Sequence, residues 1–484
     1  MPDHESRGPP AATPRHAVRD VAVQLVARSG NLVLGVVATA VVARALGGGG
    51  FGEWSTLLVV AQMAGYLADL GVEQVAVSRA AQQGRERDWI GALVSLRTLI
   101  SVPATAAAAV VVLLLASNDD MVVSGLLLAA TILATGPSST RALLQLRVRN
   151  DLNMVVITFN SVLWTGAAIA LAARDAGMVA FAAAFLAVTW ATVAVQVTIA
   201  LRAGRISLRG GRPLLRPLTA AGIPVAISGL LILAYARIDQ VLVYELAGAR
   251  EAGLYAAAYR ILEQAHFVPL AVATTFLPLV AAAHGADIAR ARRMTQHVIN
   301  YMAVGSLPAL GFTLVASEQV IRLLFGEAFV SAAPALPVLM GAFVVICFGY
   351  LSGNLVIVLG LQRRFLVYAL VALVFNVALN LVLIPPYGFL AAAWVTLATE
   401  IVVVGLTMTM VMRALGHVPR LDRVARAVAA TAGMTLAVWA AQELGGGTAV
   451  LVLVGGVSYG ALVVLLGALT VSDLRALAAR RGPD

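Results

Sequence analysis

Apolar residues gather in fourteen long stretches separated by short polar gaps. They run roughly over 20–43, 54–78, 89–115, 121–143, 153–173, 178–201, 217–246, 252–283, 295–316, 333–360, 364–384, 388–412, 424–442 and 448–470. A helix needs about 20 apolar residues to cross a bilayer core, so each stretch predicts a spanning helix. The gaps carry a second pattern. Every basic Lys-or-Arg position is arginine, and the arginines fall on every second gap. Arg44, Arg174, Arg250 and Arg322 lie on the opposite side, and Arg28, Arg237 and Arg260 lie inside stretches. Basic residues are held on the cytoplasmic face during insertion. The alternation therefore predicts fourteen crossings with both termini cytoplasmic. Residues 1–19 form a polar N-terminal tail without an apolar core. The first stretch is full length, so it reads as a retained helix and not as a cleaved signal.

The stretches repeat. Leu46 is followed by Gly52-Glu53-Trp54, and about 200 residues later Leu246 is followed by Gly253-Leu254-Tyr255. Phe159-Asn160-x-x-Leu163 parallels Phe375-Asn376-x-x-Leu379, and a glycine opens the next stretch in each case (Gly177, Gly388). The expected fold is all-α. A six-helix bundle over 20–201 and a second over 217–413 are joined by a basic cytoplasmic linker at 202–216. Six is an even number, so the halves share one orientation and a pseudo-two-fold axis runs along the membrane normal. Secondary transporters of that architecture bind substrate between the halves. Two further helices occupy 414–470, and a cytoplasmic tail follows over 471–484.

Composition narrows the chemistry. Hydrophobic residues make up 60% of the chain and charged residues 12%, against about 25% charged in soluble proteins. Lipid must be the main solvent. The net charge of +10 follows from the topogenic arginines, so nucleic acid is not an expected partner. Without lysine there is no Walker loop and no Schiff-base chemistry. One cysteine, Cys347, and six scattered histidines give no metal-ligand pattern. No cofactor or metal is expected, and no loop is long enough for an enzyme's active site. A carrier remains.

Ionisable residues inside a membrane usually face a cavity or a partner. Arg28 either snorkels to nearby headgroups or faces a central cavity and holds a phosphate. Arg237 and Asp239 are two apart and do not face each other on a helix. Each must find another partner, or the helix is irregular there. Arg260 and Glu263 are three apart and can pair, as structural brace or substrate contact. Asp69 and Glu73, four apart with Arg79 nearby, read as a cytoplasmic gate. Asn376 and Asn380 share a helix face, where amides either join helices or line a cavity. Glu400 is the candidate protonatable coupling residue, with a structural carboxylate as the alternative.

Taken in order, several segments resemble the polysaccharide-transporter (Wzx-like) oligosaccharide flippases. They are Arg44-Ala-Leu-Gly, Phe51-Gly-Glu-Trp54, Ala68-Asp-Leu-Gly71, Arg237-Ile-Asp-Gln240, Ala252-Gly-Leu-Tyr-Ala-Ala-Ala-Tyr-Arg260, Leu324-Phe-Gly-Glu-Ala-Phe329, and the run from Asn376 through Asn380, Pro385 and Gly388 to Glu400. The resemblance covers residues 20–412. It implies two bundles opened alternately to each side of a bacterial inner membrane, and export of an isoprenyl-diphosphate-linked oligosaccharide. Expected substrate contacts are Arg28, Arg237, Arg260, Asn376 and Asn380. Asp69, Glu73, Asp239, Glu263 and Glu400 are expected in coupling or gating. Polysaccharide polymerase and glycosyltransferases are expected partners. Lipid II flippases of the wider superfamily look similar in placing cavity arginines on helices 1, 2 and 8; Arg28 and Arg260 match the first and last, and helix 2 here has no arginine in its middle. A cation-coupled multidrug antiporter is the other alternative.

Overall fold

The computed structural model describes residues 14–470 except Leu70 and Val148. Every regular element among them is helical. The first group comprises α1 (Pro14–Asp69), α2 (Val72–Gln83), α3 (Glu86–Leu115), α4 (Asp119–Ala130), α5 (Thr135–Ser138), α6 (Arg141–Leu146), α7 (Asn150–Ala172) and α8 (Met178–Ala203). A short α9 (Leu208–Gly211) follows. The second group comprises α10 (Leu215–Ala247), α11 (Ala249–Ala265), α12 (Phe267–Ala286), α13 (Ile288–Phe325), α14 (Ala335–Val358) and α15 (Gln362–Leu415). Last come α16 (Asp422–Glu443) and α17 (Thr448–Leu465), which pair with each other and pack on α13.

Ten helical stretches among the described residues are long and apolar enough to cross a membrane. Large apolar side chains stand outward on them: Leu114 is 80% exposed, Val382 68% and Trp394 55%. Apolar area exposed to water costs about 25 cal/mol per Å², and patches of this extent mark a lipid-facing surface. The chain is a multi-pass, all-helical membrane protein, as its hydropathy pattern predicts. Two of the ten, α1 and α15, each continue through a bend. Gly47 (φ 65°, ψ −179°) bends α1 and Gly388 (φ 62°, ψ −151°) bends α15. Only glycine adopts that backbone region readily. Gly248 (φ 92°, ψ 172°) makes the same turn between α10 and α11. Gly47 and Gly248 stand at corresponding places in the sequence repeat.

The two groups meet where these turns lie. The segment after Gly47 crosses the first turn of α11 with backbone against backbone. A Cβ on Gly52 would fall on the Ala249 carbonyl oxygen, and a Cβ on Gly253 would fall on the Gly48 carbonyl oxygen. The contact is reciprocal, because each glycine makes room for the other segment. Arg44 locks the same end. Its guanidinium donates to the Leu323 carbonyl (2.6 Å) and the Leu324 carbonyl (3.1 Å), which are free acceptors at the C-terminus of α13. Phe51 packs edge-on against Phe329, with ring centroids 5.8 Å apart.

The paired asparagines of the repeat also do matching work. Asn160 accepts from Thr192 Oγ1 at 3.1 Å, joining α7 to α8. Asn376 donates to Thr399 Oγ1 at 3.3 Å, joining the two limbs of α15.

Three expected helices are broken, one of them the stretch 252–283, which divides at His266 into α11 and α12. The stretch 54–78 stops at Asp69 and resumes as α2 at Val72, with Gly71 left-handed between them (φ 58°). The stretch 121–143 divides into α4, a 3-10 turn at Thr131–Ala134, α5 and α6. Arg97 and Arg141 lie within helices, and Arg97 is 2% exposed.

Candidate functional site

A cavity of about 230 Å³ opens between the two groups. The N-terminal group supplies one wall from both limbs of α1, from α7 and from α8. Trp54 and Trp164 stack at 6.1 Å with an interplanar angle of 8°, and Phe185 meets Trp164 edge-on at 5.0 Å. Thr39, Ser55 and Gln62 add neutral polar groups. The facing wall comes from α10 and α11, and it is ionic. Glu263 accepts from Arg260 Nη1 at 2.9 Å and forms an ion pair with Arg237. Arg237 also lies 5.2 Å from the centroid of the Tyr259 ring, a cation–π contact. Two guanidinium groups share one carboxylate, so this wall keeps one net positive charge. The Arg260 side chain remains 35% exposed, and guanidinium offers a planar fork of donors suited to phosphate.

Behind the ionic wall lies a buried polar cluster. Asp239 is 2% exposed. It accepts from the Tyr255 hydroxyl, from Thr396 Oγ1 at 3.2 Å and from the Gln240 backbone N–H at 2.8 Å. It makes no ion pair with any described residue. The Asp239 neighbour Arg237 turns instead to Glu263, so each member of the i,i+2 pair has found a different partner. Asn380 donates to Asn376 Oδ1 at 2.9 Å. A void of about 10 Å³, room for about one water, touches Asp239, Asn376, Thr396, Thr399 and Glu400. Glu400 is 8% exposed. It also borders a larger cavity of about 360 Å³ with Tyr235, Tyr259, His266, Tyr350 and Asn354. A buried carboxylate without a cation is expensive unless protons, ions or hydrogen bonds compensate it. Asp239 has hydrogen bonds, and Glu400 faces open space.

The third charged cluster corrects an expectation. Asp69 and Glu73 do not turn to Arg79. The break at Gly71 takes them off a continuous helix, and both converge on Arg97. Arg97 forms an ion pair with Asp69 and donates to Glu73 Oε2 at 2.8 Å and to Ser139 Oγ at 3.0 Å. Arg141 donates to both Glu73 oxygens, at 2.9 and 2.8 Å. Gln145 adds a longer bond at 3.3 Å. Two carboxylates thus meet two guanidinium groups, and the cluster is balanced.

Of the sequence candidates, the central cavity brings together Arg237, Arg260 and Glu263. Asn376, Asn380, Asp239 and Glu400 gather behind it. Arg28 is elsewhere, in a separate pocket with Arg141. The aromatic wall was missed, although only six tryptophans occur in the chain and one, Trp54, ends a quoted motif. Tyr255 and Thr396 were also missed as partners of Asp239.

A family model described as polysaccharide biosynthesis protein matches residues 41–334. No curated protein sequence matches the chain significantly. Solved structures share its fold. The lipid II flippase MurJ, in an inward closed conformation, superposes with TM-score 0.72 at 11% identity, covering 95% of this chain and 100% of that one. An inward-facing multidrug resistance MATE transporter of the MOP superfamily gives TM-score 0.65 at 15% identity, covering 80% and 94%. The MATE multidrug transporter DinF-BH gives 0.61 at 15%, covering 85% and 98%. At these identities the likeness is one of fold.

Proposed function

This chain belongs to the polysaccharide biosynthesis protein family, and from that premise we propose that it is a flippase for isoprenyl-diphosphate-linked oligosaccharide, working by alternating access in a bacterial inner membrane. The observation that carries the reading is the composition of the central cavity. Flat aromatic faces suit the C–H faces of sugars. Opposite them, two guanidinium groups with one shared carboxylate leave a single net charge for a diphosphate. The lipid tail would stay in the bilayer while the head crosses between the halves, 20–201 and 217–413, about the linker 202–216.

With the Arg-rich side cytoplasmic, the Gly52–Gly253 contact seals the outer end and the cavity waits for a head from within. Moving an anionic head outward runs down an inside-negative potential, at roughly 2.3 kcal/mol per charge per 100 mV. Asp239, Asn376, Asn380 and Glu400 supply oxygen and amide groups for a returning proton or small monovalent cation. Asp69 and Glu73, held by Arg97 and Arg141, brace the cytoplasmic end. Glycosyltransferases would supply the substrate and a polymerase would consume it.

A lipid II head carries the same diphosphate chemistry. The MurJ-like fold and the presence of α16 and α17 support it as the second reading. The net positive wall argues against a cationic-drug antiporter.

The test is export of lipid-linked glycan from inverted vesicles holding the full-length protein. Arg237→Gln with Arg260→Gln should stop export while the protein stays in the membrane. Unchanged export by that double variant would reject the reading. Competition between lipid-linked oligosaccharide and lipid II in the same vesicles separates the two heads.

A further inference from the structure

Arg28 stands apart from the central cavity. It lies eleven residues before Thr39 on α1, about 16 Å along a helix. Its pocket, about 360 Å³, is built from α1, α6, α7 and α8 and is lined by Arg28, Arg141, Gln145, Asn153 and Gln196 with three apolar residues of α7. The charged side chains in that lining are both arginines. Each polar group has something left to offer.

Arg141 spends its Nε and Nη2 on Glu73. Its side chain is still 46% exposed, so Nη1 remains for another acceptor. The carboxylate that pins it is outside the pocket lining, and that carboxylate's charge is already balanced within the Asp69–Glu73–Arg97–Arg141 cluster. Arg28 is therefore an added positive charge, without an ion pair among the described residues. Gln196 is 7% exposed. Its amide nitrogen donates to the Ser138 carbonyl and to Thr140 Oγ1, which leaves its carbonyl oxygen to accept from a hydroxyl. Asn153 bonds no described residue. Ile157, half exposed, forms an apolar lip. Above the pocket α1 and α7 are pinned by Asn31 donating to Thr158 at 3.2 Å, so the walls do not depend on a ligand for their position.

Two guanidinium groups, three amides and an apolar lip at the basic end of a membrane protein fit one ligand class: a phosphate ester whose neighbouring atoms are hydroxyls and whose tail is hydrocarbon. We propose that this pocket is a separate binding station for the phosphate of a lipid head, occupied before the head reaches Arg237 and Arg260. The inference rests on the flippase reading for its place in a route, but the pocket's ligand chemistry can be tested without transport.

The experiment uses the full-length protein in phosphatidylcholine nanodiscs, with native mass spectrometry and equilibrium titration as readouts. The probes are farnesyl diphosphate, farnesol and inorganic diphosphate. Wild type should take up two farnesyl diphosphates and no farnesol. Arg28→Gln or Asn153→Leu should each reduce this to one and weaken the lost site about tenfold or more. Neither side chain bonds a described residue, so both variants should fold; Arg141 is avoided because it holds Glu73. The remaining site should disappear with Arg237→Gln and Arg260→Gln. Inorganic diphosphate should bind the Arg28 pocket at least tenfold more weakly than farnesyl diphosphate; equal binding would overturn the lipid source. Two-site binding retained in Arg28→Gln would overturn the station, even if the Arg237/Arg260 variant stops export. One site lost in Arg28→Gln, from a protein that exports nothing, would uphold the pocket and reject the transport reading.

Discussion

The two halves of this molecule use similar helices for different chemistry. At the central cavity the N-terminal group contributes rings and neutral polar groups: Trp54, Trp164, Phe185, Thr39 and Gln62. The C-terminal group contributes ions, with Arg237, Arg260 and Glu263 in front and Asp239 and Glu400 behind. The N-terminal group has ions too, but Asp69, Glu73, Arg97 and Arg141 are balanced among themselves at the far end. Asn160–Thr192 in one group and Asn376–Thr399 in the other are matching joints, while the two cavity walls differ in what they present. In the proposed function one half recognises the sugars, and the other holds the charge and couples to the driving ion.

That division can be broken in steps. The largest effect is expected from Arg237→Gln with Arg260→Gln. Removing buried charge contacts to a phosphate costs about 2–5 kcal/mol, so export should fall roughly 30-fold or more, measured in inverted vesicles, with membrane levels unchanged. Next, Glu400→Gln removes the carboxylate that faces the second cavity. Export should fall about tenfold, and its dependence on an imposed proton or sodium gradient should vanish; a retained dependence would move coupling to Asp239. Trp164→Ala tests the opposite wall. An aromatic contact worth about 0.5–1.5 kcal/mol predicts a roughly two- to tenfold loss of affinity for lipid-linked glycan, with farnesyl diphosphate binding unaffected. Equal losses for both ligands would erase the distinction between the halves. The smallest effects belong to the joints. Asn160→Ala deletes one interhelical hydrogen bond, worth about 0.6 kcal/mol in membranes, and should lower thermal stability slightly. Asn376→Ala deletes the bond to Thr399 and the one accepted from buried Asn380, so it should lower thermal stability more.

The sequence made the helices legible because lipid imposes a length and a polarity that any window of the chain must satisfy. It also showed where charges enter the membrane, since Arg237, Arg260, Asp239 and Glu400 interrupt apolar runs. What it concealed were the partners. Asp239 was set beside Arg237 by sequence, yet bonds Tyr255 and Thr396, 16 and 157 positions away. Glu73 was expected near Arg79, yet binds Arg97 and Arg141 because Gly71 breaks the helix between Asp69 and Glu73. Arg28 and Arg260 look alike as cations inside apolar stretches, and only the folded chain separates them into different pockets. Helix-helix register is a tertiary property, and neighbours in sequence do not reveal it.

The paired glycines at positions 52 and 253 give the joint between the two groups an unusual economy of parts. At the crossing itself the two surfaces are bare peptide, and the side chains that secure the joint, Arg44 and Phe51, stand beside it. A single methyl group on either surface would act as a doorstop, leaving a molecule that inserts and folds but leaks at the end where it should be tight.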